Sequence, residues 1–85
     1  MAFRVGVISI IVENDCSIQE LNALLHDYRA YIIARMGVPY REKGINIISV
    51  AFDAPQDVIS ALSGKIGNLK GVSAKAVYSN VTSCE

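Results

Sequence analysis

Residues 3–13, FRVGVISIIVE, decide the fold class of this chain. Their side chains are apolar or small on both alternating faces. Val5, Val7, Ser9 and Ile11 share one face, and Ile8, Ile10 and Val12 share the other. Apolar residues on both faces predict a central strand with other parts of the structure packed against each side.

A first helix is expected after this strand. The pattern Ser17-Ile18-Gln19-Glu20 is typical of a capping box, and Cys16 is interpreted as the apolar partner of Leu21 in a hydrophobic staple. Apolar residues then recur at spacings of three and four: Ile18, Leu21, Leu24, Leu25, Tyr28, Ile32 and Met36. Gly37 predicts the end of the helix, and residues 38–43 are expected to form a short polar strand.

The second half of the chain repeats the pattern. Residues 45–52, INIISVAF, predict another two-sided strand, after which Asp53 and Pro55 indicate a helix start. The helix stripe is Val58, Ile59, Leu62 and Ile66, and the last strand, residues 72–79, carries Val72, Ala74, Ala76 and Tyr78 on one side. The order β-α-β-β-α-β predicts an α+β, ferredoxin-like sandwich: a four-stranded antiparallel sheet with two helices on one face.

The chain of 85 residues is expected to form a single domain, 1–85, with residues 80–85 as a flexible tail. Two helices cover only one face of the predicted sheet, although the first and third strands are apolar on both. A second copy of the chain, packed sheet against sheet or edge to edge, would cover the other face. We therefore expect a homo-oligomer, either a dimer or a tetramer.

Charge and length exclude several classes of function. Eight basic residues balance eight acidic ones, which argues against direct nucleic-acid binding. Lys65, Lys70 and Lys75 are interpreted as ordinary solubilising charge. The apolar stretch at residues 5–12 is too short to cross a bilayer, so we expect a cytoplasmic protein with no membrane association. Its cysteines, Cys16 and Cys84, are then expected to be reduced.

Catalysis and metal binding have little support in the sequence. The single histidine, His26, would need an orienting acid to act as a base, and Asp27 is expected to point elsewhere on the helix, so no enzyme is expected. No metal site is assigned within one chain, because ligation needs three or four converging side chains. A site shared between subunits, formed by Asp15, Cys16 and His26, stays open as an alternative. The loop of residues 13–16 could instead hold a small ligand beside the helix start.

Residues 31–72, YIIARMGVPYREKGINIISVAFDAPQDVISALSGKIGNLKGV, resemble the family of iron-only hydrogenase system regulators. The segments RMG-PYREKG and DAPQDVISALSGK-G carry most of this resemblance, which runs from about Val5 to Ser79. Members are similar in fold to ACT domains and to the C-terminal, effector-binding domain of nickel-responsive regulators. The resemblance implies an ACT-like fold and a regulatory, non-enzymatic role.

Two departures limit what the resemblance implies. The three histidines and one cysteine of nickel-responsive regulators are missing, and so is their ribbon-helix-helix domain, so neither a nickel site nor a DNA-binding domain is expected. ACT domains commonly place a glycine after the first strand, where this chain has Asn14-Asp15. The resemblance therefore does not by itself imply amino-acid binding in the ACT manner.

The predicted ligand-binding residues are Asp15, Arg35, Tyr40, Arg41 and Lys43. A tyrosine between cations near a subunit edge can hold an anion, a carboxylate ligand or an acidic partner. The alternative interpretation is an edge strand whose Arg and Lys prevent unwanted pairing. The predicted function is ligand sensing or protein interaction in an oligomer, with a small effector or a hydrogenase-system protein as partner. A structural assembly module with no effector is the alternative, and the effector and any cofactor are left open.

Overall fold

The structure is a computed structural model that describes residues 2–81. Its strands and helices are β1 (Phe3–Val12), α1 (Ile18–Asp27), β2 (Ile32–Tyr40), β3 (Ile45–Pro55), α2 (Gln56–Gly67) and β4 (Val72–Tyr78). Short 3-10 turns lie at Asp15–Ser17, Arg29–Tyr31 and Arg41–Lys43. Cys84 and most of the predicted tail lie outside the described residues.

The four strands form an antiparallel sheet in the order β2-β3-β1-β4, and this arrangement confirms the predicted fold class. β1 and β3 are the central strands and pair along almost their whole lengths, from Phe3 opposite Pro55 to Val12 opposite Asn46. The apolar residues on both alternating faces identified the two central strands correctly. β1 and β3 each lie between two other strands.

The core lies between one face of the sheet and the two helices. The sheet contributes Ile8, Ile10, Val12, Ile48, Val50, Phe52, Ala54 and Val72, and the helices contribute Leu21, Leu25, Ile59, Leu62 and Ile66. The helical residues recur at spacings of three and four, so each helix presents one apolar stripe to the sheet.

The other face of the sheet, which we call the open face, has no covering layer in the described chain. It carries apolar side chains from all four strands: Val5, Val7 and Ile11 on β1, Ala34, Met36, Val38 and Tyr40 on β2, Ile47 and Ala51 on β3, and Val77 on β4. Met36 and Val77 are each 65% exposed. An apolar surface that runs across a whole sheet is uncommon on a monomer and is typical of an interaction site.

The predicted length of the first helix is wrong. α1 ends at Asp27, and the chain enters β2 at Ile32, so Ile32 and Met36 are strand residues and Gly37 lies in mid-strand opposite Ile48. One edge of β3 pairs with β1, and the other edge is available to β2. By pairing there, residues 32–40 satisfy their own backbone hydrogen-bonding groups. A shift in register between Ile32 and Ala34 interrupts the two-residue alternation and hides the strand pattern.

The predicted helix caps are also wrong. The Ser17 side chain forms no cap, and its hydroxyl instead donates to the Lys70 carbonyl oxygen at 2.6 Å. Cys16 is exposed and so forms no hydrophobic staple with the buried Leu21. Asp53 lies within β3 opposite Val5, and α2 begins after Pro55 without a side-chain cap.

Replacing Ser17 with alanine should lower the free energy of unfolding by about 1 kcal/mol. The serine is only 2% exposed, and its hydroxyl joins the start of α1 to the turn before β4. Chemical denaturation of the variant would measure the change. Ser60→Ala is a suitable control, because the Ser60 hydroxyl pairs with Tyr78 in an exposed position. An equal loss in both variants would contradict a special role for the buried bond.

Candidate functional site

A small cavity of about 170 Å³ lies at the rim of the sheet, where β1 ends and β2 turns into β3. Its lining comes from the β1–α1 loop, the end of β2 and the start of β3: Asp15, Pro39, Tyr40, Arg41, Gly44, Ile45 and Asn46. Val12 pairs with Asn46, so the end of β1 lies beside the β2–β3 turn. We call this the rim cavity.

Contacts with the turn before β4 hold the β1–α1 loop in position. The Glu13 amide donates to the Gly71 carbonyl oxygen at 2.7 Å, and the Asn14 side chain accepts from the Cys16 amide at 2.9 Å. Gly71 adopts a positive φ of 70° and leaves no room for a side chain beside Asn14. The position of Asp15 therefore depends on residues more than fifty positions away in the sequence.

A tight turn places the other side of the rim cavity. Arg41–Lys43 form a 3-10 turn, which closes with a 3.2 Å hydrogen bond from the Gly44 amide to the Arg41 carbonyl oxygen. Gly44 has a φ of 66°, a conformation that favours glycine. Tyr40 ends β2 directly before this turn, so its ring and the Arg41 side chain both line the cavity.

The structure brings three of the five predicted ligand-binding residues together. Asp15, Tyr40 and Arg41 line the rim cavity, and Lys43 is exposed in the adjoining turn. Arg35 lies elsewhere: it is opposite Val50 on the helix side of the sheet, and its Nη2 donates to Asn22 Oδ1 at 2.6 Å. The role of all five in ligand binding stays a prediction.

The alternative interpretation of this segment, a charged edge strand, agrees with the structure in part. Arg41 and Lys43 lie in the turn after β2 and not on its edge. Arg35 is the charged residue within β2, which is an outer strand. The edge-strand interpretation therefore applies directly to Arg35, and for Arg41 and Lys43 it stays a prediction.

Side chains of opposite charge line the rim cavity. Asp15 supplies a carboxylate, which accepts a long 3.4 Å hydrogen bond from Asn46 Nδ2, and Arg41 supplies a guanidinium. A guanidinium binds a carboxylate or phosphate through paired N–H groups, and a carboxylate binds an ammonium group. The cavity therefore suits a small anion or zwitterion.

A second and larger cavity, about 340 Å³, lies in the middle of the open face. Its floor is made by Ser9, Ser49 and Ser73, and the longer side chains of Ile11, Ile47 and Lys75 stand around them. We call it the serine trough. The sequence interpretation missed it by treating Lys75 as ordinary surface charge. The alternation of Lys75 with Ala74 and Ala76, which face the helices, was the available signal.

The other lysines have different surroundings. Lys65 Nζ donates to the Tyr28 hydroxyl at 3.0 Å, and this hydrogen bond raises the pKa of the exposed ammonium group. Lys70 is exposed in the turn before β4. Neither residue lines the rim cavity or the serine trough.

The described chain offers little for metal binding or catalysis. Within residues 2–81, no three His, Cys, Asp or Glu side chains come close enough to hold a metal ion. His26 and Cys16 are both exposed. In the same range, no helix has the length and apolar character needed to cross a membrane.

Comparison with known families matches most of the chain to a single family. The model described as "TM1266-like: Iron-only hydrogenase system regulator, putative" matches residues 4–76. The chain belongs to this family. The match confirms the resemblance seen in the sequence, and it includes every residue that lines the rim cavity and the serine trough. The family description is that of a regulator of the iron-only hydrogenase system.

Solved structures support the same relationship. The uncharacterized protein TM1266 from Thermotoga maritima is 35% identical, with a TM-score of 0.86 over 89% of this chain and 96% of that one. A formyltetrahydrofolate deformylase from Pseudomonas putida KT2440 is 14% identical, with a TM-score of 0.66 over 91% of this chain and 29% of that one. The second similarity shows the fold alone. No curated protein matched the chain.

Proposed function

We propose that this chain regulates the iron-only hydrogenase system as an oligomeric domain that senses a small ligand or binds another protein. Membership of the family supports the regulatory part of the proposal. The observation that carries the sensing part is the rim cavity, where Asp15, Tyr40 and Arg41 from two separate loop regions converge. A ligand that binds both regions would stabilise their relative position.

The proposed ligand is a small molecule with a carboxylate or a similar anionic group. Arg41 would receive the anion, and Asp15 would receive an ammonium group if the ligand carries one. The cavity, about 170 Å³, is small and open to solvent, so it suits a compact ligand. Lys43 in the adjoining turn would add attraction at longer range.

The proposed assembly is a homo-oligomer, a dimer or a tetramer, whose subunits cover the open face. Packing that face against its counterpart would bury the apolar side chains of all four strands. The rim cavity lies at one end of the sheet, and Tyr40 both lines it and belongs to the open face. An effector in the rim cavity would therefore lie at a subunit boundary and could alter assembly.

Native mass and metal content, measured together on one size-exclusion peak by light scattering and elemental analysis, would test the assembly. The expected result is an oligomer with no stoichiometric metal. A stoichiometric metal would instead support a metal site shared between subunits, with Asp15, Cys16 and His26 as ligands. A monomer at micromolar concentration would contradict the proposal.

Thermal denaturation with amino acids, small carboxylates, nucleotides and metal ions would test sensing. A true effector at a hundredfold excess over its Kd should stabilise the protein by about 2.7 kcal/mol. Arg41→Ala should remove most of this stabilisation. Arg29→Ala is the matched control, since Arg29 is an exposed arginine in the turn after α1 and its Nη1 donates to the His26 carbonyl oxygen. Absence of any shift across the panel would count against sensing.

The alternative function is an assembly module without an effector, which the extent of the open face favours. In that case partner proteins would be captured equally by the wild-type chain and by the double variant Arg41→Ala, Lys43→Ala. Loss of capture in the double variant would instead make the β2–β3 turn the docking surface. An affinity pull-down followed by mass spectrometry would measure both outcomes.

A further inference from the structure

The serine trough results from the register of three strands. Ser9 on β1 lies directly opposite Ser49 on β3 and Lys75 on β4, so three polar residues form one row across the open face. In the next row Ile11 lies opposite Ile47 and Ser73. Short serine side chains beside longer isoleucine and lysine side chains leave a hollow in an otherwise apolar surface.

Two kinds of surface meet in the trough. Ile11 and Ile47, 41% and 44% exposed, form an apolar wall on one side. Lys75 brings an ammonium group to the opposite side, on a flexible aliphatic stem. An apolar wall opposite a cation is complementary to a molecule with a hydrocarbon body and one anionic end.

The polar groups of the trough are free to bind a ligand. None of the side-chain hydrogen bonds formed among residues 2–81 involves Ser9, Ser49 or Lys75. The acidic residue of β3 on this face is Asp53, four positions along the strand from Ser49 and separated from it by Ala51. Lys75 therefore has no carboxylate in its own row.

We propose that the serine trough binds a linear aliphatic monocarboxylate. The hydrocarbon chain would lie along Ile11 and Ile47, and the carboxylate would bind the Lys75 ammonium group, with the Ser9 and Ser49 hydroxyls as further donors. The inference rests on the proposed function in one respect: the trough lies in the face that a second copy is proposed to cover, so the ligand would lie between subunits.

The size of the trough sets the length of the ligand. A volume of about 340 Å³ equals that of roughly eleven water molecules at about 30 Å³ each, and a methylene group is similar in size to a water molecule. Octanoate has a body and a head group of this size. Because burial of each methylene group is favourable, affinity should rise by up to about fourfold per carbon until the trough is full.

A lysine on an outer strand can also serve only to prevent edge pairing, and the two roles differ in their consequences. A protective charge has no preference among ligands, whereas a carboxylate site discriminates by head group. Octanoate, octanol and octylamine share one hydrocarbon chain and differ in charge. Their affinities, compared by titration calorimetry on the full chain, separate the two roles.

We expect octanoate to bind at least about tenfold more tightly than octanol, because a charge-assisted hydrogen bond is made only with the carboxylate. Octylamine should bind most weakly. Lys75→Met keeps an aliphatic side chain and removes the charge, so it should bring octanoate and octanol to within about twofold of each other. Lys75→Arg should keep the preference, and so should the control Lys70→Met, whose site lies outside the trough.

Equal affinities for octanoate and octylamine, or a preference that survives Lys75→Met, would overturn the inference. Aggregation of Lys75→Met with no change in head-group preference would also overturn the inference. Lys75 would then serve to prevent edge pairing. Light scattering on the same samples measures the oligomeric mass, so it tests the proposed assembly separately from the trough site. If octanoate binds to a monomeric protein, the proposed oligomer is contradicted and the proposed trough site is supported. If the protein is an oligomer that does not bind octanoate, only the trough site is contradicted.

Discussion

Replacing Gly71 with alanine should lower the free energy of unfolding by about 2–4 kcal/mol. Two costs add at this position. Gly71 has a φ of 70°, which a residue with a side chain adopts unfavourably, and a methyl group there would lie 2.6 Å from Asn14 Cβ. The loop cannot retreat freely, because the Glu13 amide is bound to the Gly71 carbonyl oxygen and Asn14 holds the Cys16 amide.

For a domain of this size the loss corresponds to a fall in melting temperature of roughly 10–25 °C. Gly44→Ala is the matched control: it has a similar φ of 66°, but nothing lies within 4 Å of the added methyl group. The control should lose only about 1 kcal/mol. Denaturant unfolding of both variants would measure the difference, and equal losses would mean that the approach to Asn14 is unimportant.

The same substitution should weaken effector binding in the rim cavity. Gly71 positions the loop that carries Asp15, so displacement of Asn14 moves one wall of the cavity relative to Arg41. The effect should be seen well below the melting temperature of the variant, where the chain is still folded.

Replacing Val7 with glutamate should dissociate the proposed oligomer into monomers. Val7 lies between Ala51 and Val77 on the open face and is partly exposed in the single chain. If copies pack open face to open face, each brings one new carboxylate into an apolar interface. An uncompensated buried charge costs several kcal/mol, so two per interface should exceed the stability of the contact.

The fold of the single chain should tolerate this change, because the Val7 side chain points away from the core. Ala61→Glu is the control: it adds the same charge at an exposed position of α2, on the helix side, and should leave the mass unchanged. Light scattering would give the masses, and circular dichroism would show that both variants are folded. An unchanged mass for Val7→Glu would favour edge-to-edge assembly, which leaves the open face free.

Sequence patterns predicted β1, β3, α2 and β4 well because each pattern is confined to a short window. Ile8, Ile10 and Val12 alternate with Val7, Ser9 and Ile11, and apolar residues on both alternating faces are typical of a central strand. The stripe of Ile59, Leu62 and Ile66 is similarly local. The boundary between α1 and β2 was missed because helical spacing at Ile32 and Met36 was coincidental, and pairing with β3 decided their conformation.

Part of the candidate site was also predictable. Tyr40, Arg41 and Lys43 are adjacent in the sequence, and the charge of the segment marked it out. Arg35 was assigned to the same site because the wrong helix boundary concealed the alternation of β2, which turns this residue toward Asn22 on α1.

By itself, the sequence determined the order of strands and helices, the presence of an apolar second face on the sheet, and the family. These properties follow from side-chain periodicity and from local motifs. Only the tertiary structure decided that Asp15 and Arg41 line one cavity, that Ser17 donates to the Lys70 carbonyl oxygen, and that Lys75 lies in one row with Ser9 and Ser49. Each of these contacts joins residues that are distant in sequence, and their proximity depends on strand register and loop packing, which no short window of sequence contains.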